Sequence, residues 1–172
     1  MNLSRRELLA MTVLSIGATV AGAHPDAEPT ARVTTSVSVT GAVEQTLTLG
    51  VEDLRAFPTQ KVNEVPLVCQ SGANLGKLEN FKGVRLRDII EKAKVVAPGH
   101  NDVKKMVVIA GASDGYKVVF SWSEIFNSPV GDGVYVFADD EGRIAMISTK
   151  DLRTGPRHVK WLKDIEVRKI LD

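Results

Sequence analysis

A single cysteine among 172 residues excludes an intrachain disulfide framework, so the fold has to be held by packing. Net charge is nearly absent as well, with 22 Lys+Arg against 21 Asp+Glu. That balance removes the electrostatic case for nucleic acid or an anionic membrane surface as a partner. Long apolar runs are missing too. The uncharged stretch from Ala10 to Ala23 is short and rich in Gly, Ala and Thr, which argues against a stable membrane span in the mature chain. No internal repeat or low-complexity tract is present that would point to a solenoid or an array.

What is present suits one well-cored domain: 44% of the residues are hydrophobic and 25% charged. Ser4-Arg5-Arg6-Glu7-Leu8-Leu9 precedes the uncharged run, the pattern of a twin-arginine export signal, and Ala21-Gly22-Ala23 fits the small-residue cleavage site. The expected organisation is therefore a signal peptide over 1–23, a flexible lead-in over 24–32 and a domain over 33–172, with a periplasmic location. Export of this type carries folded proteins, which suits one that acquires a cofactor beforehand.

Within the domain, Val33 to Thr40 alternates in the period-two manner of a half-buried strand, with Thr46 to Leu49 as its partner. A short helix is expected from Val51 to Ala56, stopped by Pro58. Lys61 to Cys69 reads as a strand, and Gln70 to Lys82 as a long irregular loop. Leu86, Ile89, Ile90 and Ala93 recur at helical spacing. Met106–Ala110, Tyr116–Ser121, Gly133–Ala138 and Arg143–Ile147 are further strands, with a single helical turn over Trp122–Phe126. Many short strands with two or three short helices make a β-rich α+β domain, not an alternating βαβ chain.

Two stretches carry chemistry. Val65-Pro66-Leu67-Val68-Cys69-Gln70-Ser71-Gly72 delivers the lone thiol from an apolar run into a polar loop. A thiolate there is a soft metal ligand; equally, free cysteine commonly serves as a small buried hydrophobe. In Thr154-Gly155-Pro156-Arg157-His158-Val159-Lys160-Trp161, a Gly-Pro turn gathers three basic residues. These form either an anion cradle or a solvated edge beside inward-packed Trp161 and Leu162.

The order of these segments resembles the molybdopterin-binding domain of the sulfite oxidase family, in a minimal single-domain form. Gly155-Pro156-Arg157-His158-Val159-Lys160-Trp161-Leu162 resembles the run that grips the pterin, and Leu67-Val68-Cys69 the site whose cysteine ligates molybdenum. Phe81 to Ile90 is similar to the family's entry into its first helix, and Ser113-Asp114-Gly115-Tyr116 to the tract that brings a tyrosine to the metal.

The resemblance implies molybdopterin with molybdenum as cofactor and Cys69 as the metal's protein ligand. Arg157, His158 and Lys160 would hold the pterin or its phosphate, and Tyr116 would be a hydrogen-bond donor in the substrate pocket. It implies two-electron oxygen-atom transfer on a small-molecule substrate, with a separate electron carrier. Gln70-Ser71-Gly72-Ala73-Asn74-Leu75 stands where sulfite-oxidising members carry an arginine-bearing loop, and only Lys150 and Arg153 offer basic groups between Arg143 and Gly155. Those departures leave a second expectation: a non-catalytic module that keeps the fold and binds haem or a small anion.

Overall fold

Alternation places Val37 and Val39 wholly inside the first strand, β1 (Ser36–Gly41), while its serines stay partly exposed. The computed structural model describes residues 33–170; the expected signal segment 1–23 and lead-in 24–32 lie outside the described residues, as do 171 and 172. β2 (Leu47–Gly50) pairs antiparallel with β1 and runs directly into α1 (Val51–Arg55). The Asp53 carboxylate accepts the Gly50 N–H at 2.8 Å and satisfies one of the orphan donors at the start of α1. β3 (Thr59–Val68) and β4 (Asn74–Arg85) form a long hairpin that leads into α2 (Leu86–Ala93). The apolar stripe of α2 is buried as its spacing predicts.

β5 (Met106–Ala112) and β6 (Lys117–Ser121) make a second hairpin, followed by α3 (Trp122–Phe126). Ser121 and Glu124 cap α3 reciprocally, the hydroxyl accepting from the Glu124 N–H and the carboxylate from the Ser121 N–H. β7 (Val134–Ala138), β8 (Ile144–Ser148), β9 (His158–Val159) and β10 (Leu162–Lys169) complete the chain.

The strands form two five-stranded sheets, ordered β2-β1-β10-β5-β6 and β3-β4-β7-β8-β9. Among the described residues only β1 and β10 pair in parallel, so the first sheet is mixed and the second antiparallel. The main core lies between the sheets and helices, and fully buries Leu86, Ile90, Phe120, Met146 and Ile165. The domain is thus the β-rich α+β fold that the sequence predicts. Among the described residues, no helix is long and apolar enough to cross a membrane.

One expectation is corrected. Most of the stretch from Gln70 to Lys82 is strand, with only residues 69–73 left as the turn between β3 and β4. Its polar composition arises because β4 is largely exposed there and buries only Phe81, Gly83 and Val84. β4 meets β7 over Gly83–Arg85 alone, whereas its pairing with β3 runs back to Asn74. The free part of this hairpin is an arm folded across the outer face of β7 and β8. It buries Val65, Leu67 and Phe81 against Phe137, Ala145 and Ile147, with the Phe81 and Phe137 rings stacked at 4.3 Å. At roughly 1.5–3 kcal/mol per large apolar side chain, this satellite core is enough to hold the arm down. Its tip carries Cys69.

Candidate functional site

Val68 ends β3, and the chain reverses at once. The Cys69 N–H donates to the Ala73 carbonyl at 2.8 Å, and the Gly72 N–H to the Cys69 carbonyl at 2.8 Å. Gly72 sits at φ +92°, a conformation that side-chain-bearing residues rarely adopt, so glycine closes this turn. Cys69 is free and partly exposed, not sunk among aliphatic side chains. The Ser71 backbone N–H and then its hydroxyl stabilise the thiolate and lower the thiol's pKa.

The Gly-Pro-Arg segment packs directly onto this strand end. Residues Gly155–Arg157 form a short 3-10 turn. A Cβ on Gly155 would stand 2.9 Å from the Val68 carbonyl oxygen and 3.4 Å from the Cys69 Cα, so close an approach needs glycine. Thr154, just before the turn, is buried and clasps the same strand: its hydroxyl accepts the Val68 N–H at 3.0 Å and donates to the Pro66 carbonyl at 2.5 Å. Two segments 86 residues apart in sequence are thus locked together at the thiol.

Tyr116, in the β5–β6 turn, is 45% exposed and donates its hydroxyl to the Pro156 carbonyl at 2.6 Å. The tyrosine ties a third loop to the Gly-Pro-Arg turn. Tyr116→Phe removes one exposed hydrogen bond and is expected to cost about 1 kcal/mol or less in chemical denaturation, with the fold unchanged. A larger loss would mean that the hydroxyl does more than tether the loop.

The three basic residues of the segment differ sharply. Arg157 donates to Glu124 at 2.7 Å, lies 3.5 Å from an Asp151 carboxylate oxygen, and places its guanidinium 4.4 Å from the Phe120 ring centroid. Its charge is largely compensated inside the protein, although Nη1 is buried without a partner. His158 lies in β9 opposite Ile147. Burial, with the charge of Lys160, pushes its pKa down to about 4, so near neutral pH it is an uncharged ring. Lys160 is exposed and makes no ion pair among the described residues.

The candidate site is an open junction of loops. A cavity of 670 Å³ lies elsewhere, between α1, β4 and β7, and one of 350 Å³ lies beside β3; neither is lined by Cys69, Tyr116, Arg157, His158 or Lys160. Among the described residues, no group of three or more His, Cys, Asp or Glu is placed to hold a metal. A metal at Cys69 would therefore need ligands that do not come from such a cluster. Sequence reasoning gave Thr154 no role and missed Glu124 and Asp151 as parts of this region. The Ser-x-x-Glu spacing of the α3 cap was legible, whereas the partners of Thr154 and Arg157 depend on tertiary contacts.

Residues 22–134 match the model of the oxidoreductase molybdopterin binding domain family. The chain belongs to that family. The match includes Cys69 and Tyr116 and ends before the segment that carries Arg157, His158 and Lys160. Among solved structures, the fold is similar to that of the sulfane dehydrogenase SoxCD from Paracoccus pantotrophus, at 18% identity and a TM-score of 0.51. The likeness covers 77% of this chain but only 38% of that one, so it carries the sulfite-oxidase-type fold alone. A search of the curated proteins found no match.

Proposed function

We propose that the chain is a periplasmic molybdopterin-dependent oxidoreductase of the two-electron, oxygen-atom-transfer type, acting on a small molecule and exchanging electrons with a separate carrier. The observation that supports it is the seating of Gly155 on the Cys69 strand end, which brings the segment resembling the pterin-gripping run onto the thiol. The residues suit such a group: a partly exposed thiol with lowered pKa is a fitting soft ligand, and the orphaned Arg157 Nη1 is a donor in need of an acceptor.

When bound, the cofactor supplies the two-electron exchange and the transfer of oxygen. The chain's part is to position it. Cys69 would be the thiolate ligand to molybdenum; Lys160 would offer a mobile ammonium, His158 a neutral ring and Arg157 one free N–H to the pterin or its phosphate. Tyr116 would present its hydroxyl at the rim of the substrate pocket. The twin arginines at Arg5 and Arg6 support export to the periplasm.

Metal analysis of the chain purified from its native host tests this reading. Stoichiometric molybdenum or tungsten is expected, lost in Cys69→Ser while the variant stays folded. Well-folded wild-type protein without metal would instead favour the non-catalytic module binding haem or a small anion. The pairing of Arg157 with Glu124 and Asp151 weakens the case for a phosphate grip by this residue, because a guanidinium already neutralised has less charge to offer an anion.

A further inference from the structure

One carboxylate ties the cap of α3 to Arg157. Glu124 Oε2 accepts the Ser121 N–H at 2.8 Å and the Ser121 hydroxyl at 3.1 Å, while its Oε1 accepts from Arg157 Nη2 at 2.7 Å. The cap fixes the carboxylate, and the carboxylate in turn fixes the guanidinium. Burial pushes the Glu124 pKa up, but the Ser121 N–H and Arg157 together bring it below the ordinary carboxylate value, so the group is charged near neutral pH. Asp151 stands 3.5 Å from Nε of the same guanidinium, whose Cζ lies 4.4 Å from the Phe120 ring centroid. Two negative charges therefore face one positive charge, and Nη1 is left buried without a partner. Lys160 and Arg153, the latter with Nη2 3.4 Å from where a Cβ on Gly72 would stand, make no ion pair among the described residues.

We infer that Glu124 is a positioning residue that sets what Arg157 recognises: it aims Nη1 at one uncharged acceptor, a carbonyl oxygen or ring nitrogen of the pterin, and turns phosphate away from this end of the segment. A guanidinium that grips an anion uses its planar fork and its full charge. Here Nη2 is taken by one carboxylate and Nε faces another, so the fork is occupied and an arriving anion meets surplus negative charge. An uncharged acceptor meets no such repulsion, and it satisfies an N–H that is otherwise stranded. The charge that a phosphate needs is left to Lys160. The inference deepens the proposed function and rests on this segment facing the cofactor.

The test needs no turnover. Two probes are titrated into the full-length, cofactor-free chain: unsubstituted pterin, an uncharged heterocycle followed by its fluorescence, and inorganic phosphate followed by calorimetry at low ionic strength. Glu124→Gln keeps the cap of α3, because glutamine serves at that position as well as glutamate. It is expected to weaken pterin binding about ten-fold, the size of one hydrogen bond lost, and to tighten phosphate binding about three-fold, the size of one unit charge removed across several ångströms of water. Asp151→Asn relieves the same guanidinium without touching the cap and should tighten phosphate by a similar factor, which keeps the charge claim testable if the glutamine variant does not fold. Arg157→Lys retains the charge but lacks Nη1 and should lose as much pterin affinity as Glu124→Gln. A Glu124 that only holds the fold together would weaken both probes in parallel. That result, an unmoved pterin affinity in Glu124→Gln, or phosphate binding weakened by Arg157→Ala as much as by Lys160→Ala overturns the inference. Metal analysis of native protein separates the two claims. Molybdenum-bearing protein whose Glu124→Gln variant keeps its pterin affinity removes the positioning role alone, whereas metal-free native protein that binds no pterin removes the proposed function with it.

Discussion

Thr154→Val is expected to destabilise the protein by roughly 3 kcal/mol and to loosen the thiol-bearing turn. The single hydroxyl serves two backbone groups, the Val68 N–H and the Pro66 carbonyl, and valine keeps the shape while offering neither a donor nor an acceptor. Each partly buried backbone group left unpaired costs about 1–3 kcal/mol, and here both are stranded at once. The damage is local as well as global. With the clasp gone, the Gly155 turn is no longer pinned on Cys69, so Cys69 alkylation should quicken and cofactor retention should fall. Thr154→Ser keeps the hydroxyl and should stay within about 1 kcal/mol of wild type, since only a methyl group is lost. Urea unfolding of the three proteins decides the matter; a valine variant indistinguishable from wild type would show that the clasp is not what joins the arm to the tail.

Acid should weaken the fold well before the carboxylates titrate, and His158 should be the reason. Its native pKa, about 4, is depressed below the ordinary 6.5 chiefly by burial and secondarily by Lys160. Below pH 6.5 the unfolded chain takes up a proton that the native ring refuses until about pH 4. The stability tied to this group is therefore fully present above pH 6.5 and is lost as the pH falls toward 4. Between pH 7 and pH 5 the expected loss is about 2 kcal/mol, approaching a ceiling of about 3 kcal/mol near pH 4. The carboxylates with lowered pKa values, Glu124 and Asp139 among them, contribute in the same direction but only below the ordinary carboxylate range. His158→Gln should flatten the profile between pH 7 and 5. An equally steep profile in that variant would place the acid sensitivity elsewhere.

Much of the architecture could be read from residue patterns. The alternation in β1, the stripe Leu86, Ile89, Ile90 and Ala93, and the Asp139–Gly142 turn between β7 and β8 each follow from short-range periodicity or turn chemistry, which a linear reading captures. β4 escaped that reading for a physical reason. A strand exposed on most of its length needs no apolar alternation, because its partner β3 and a few anchors such as Phe81 hold it.

The chain by itself determined the fold class and the family, and it singled out candidate residues: one thiol, one tyrosine and a Gly-Pro-Arg-His segment. Short-range patterns and residue types specify these without reference to distant partners. Only the tertiary structure decided what those residues are free to do. It seated Gly155 on the Cys69 strand, spent the charge of Arg157 on Glu124 and Asp151, silenced His158 by burial and left Arg153 unpaired beside the turn. Charge compensation and desolvation depend on what lies within a few ångströms, and those neighbours come from segments dozens of residues apart.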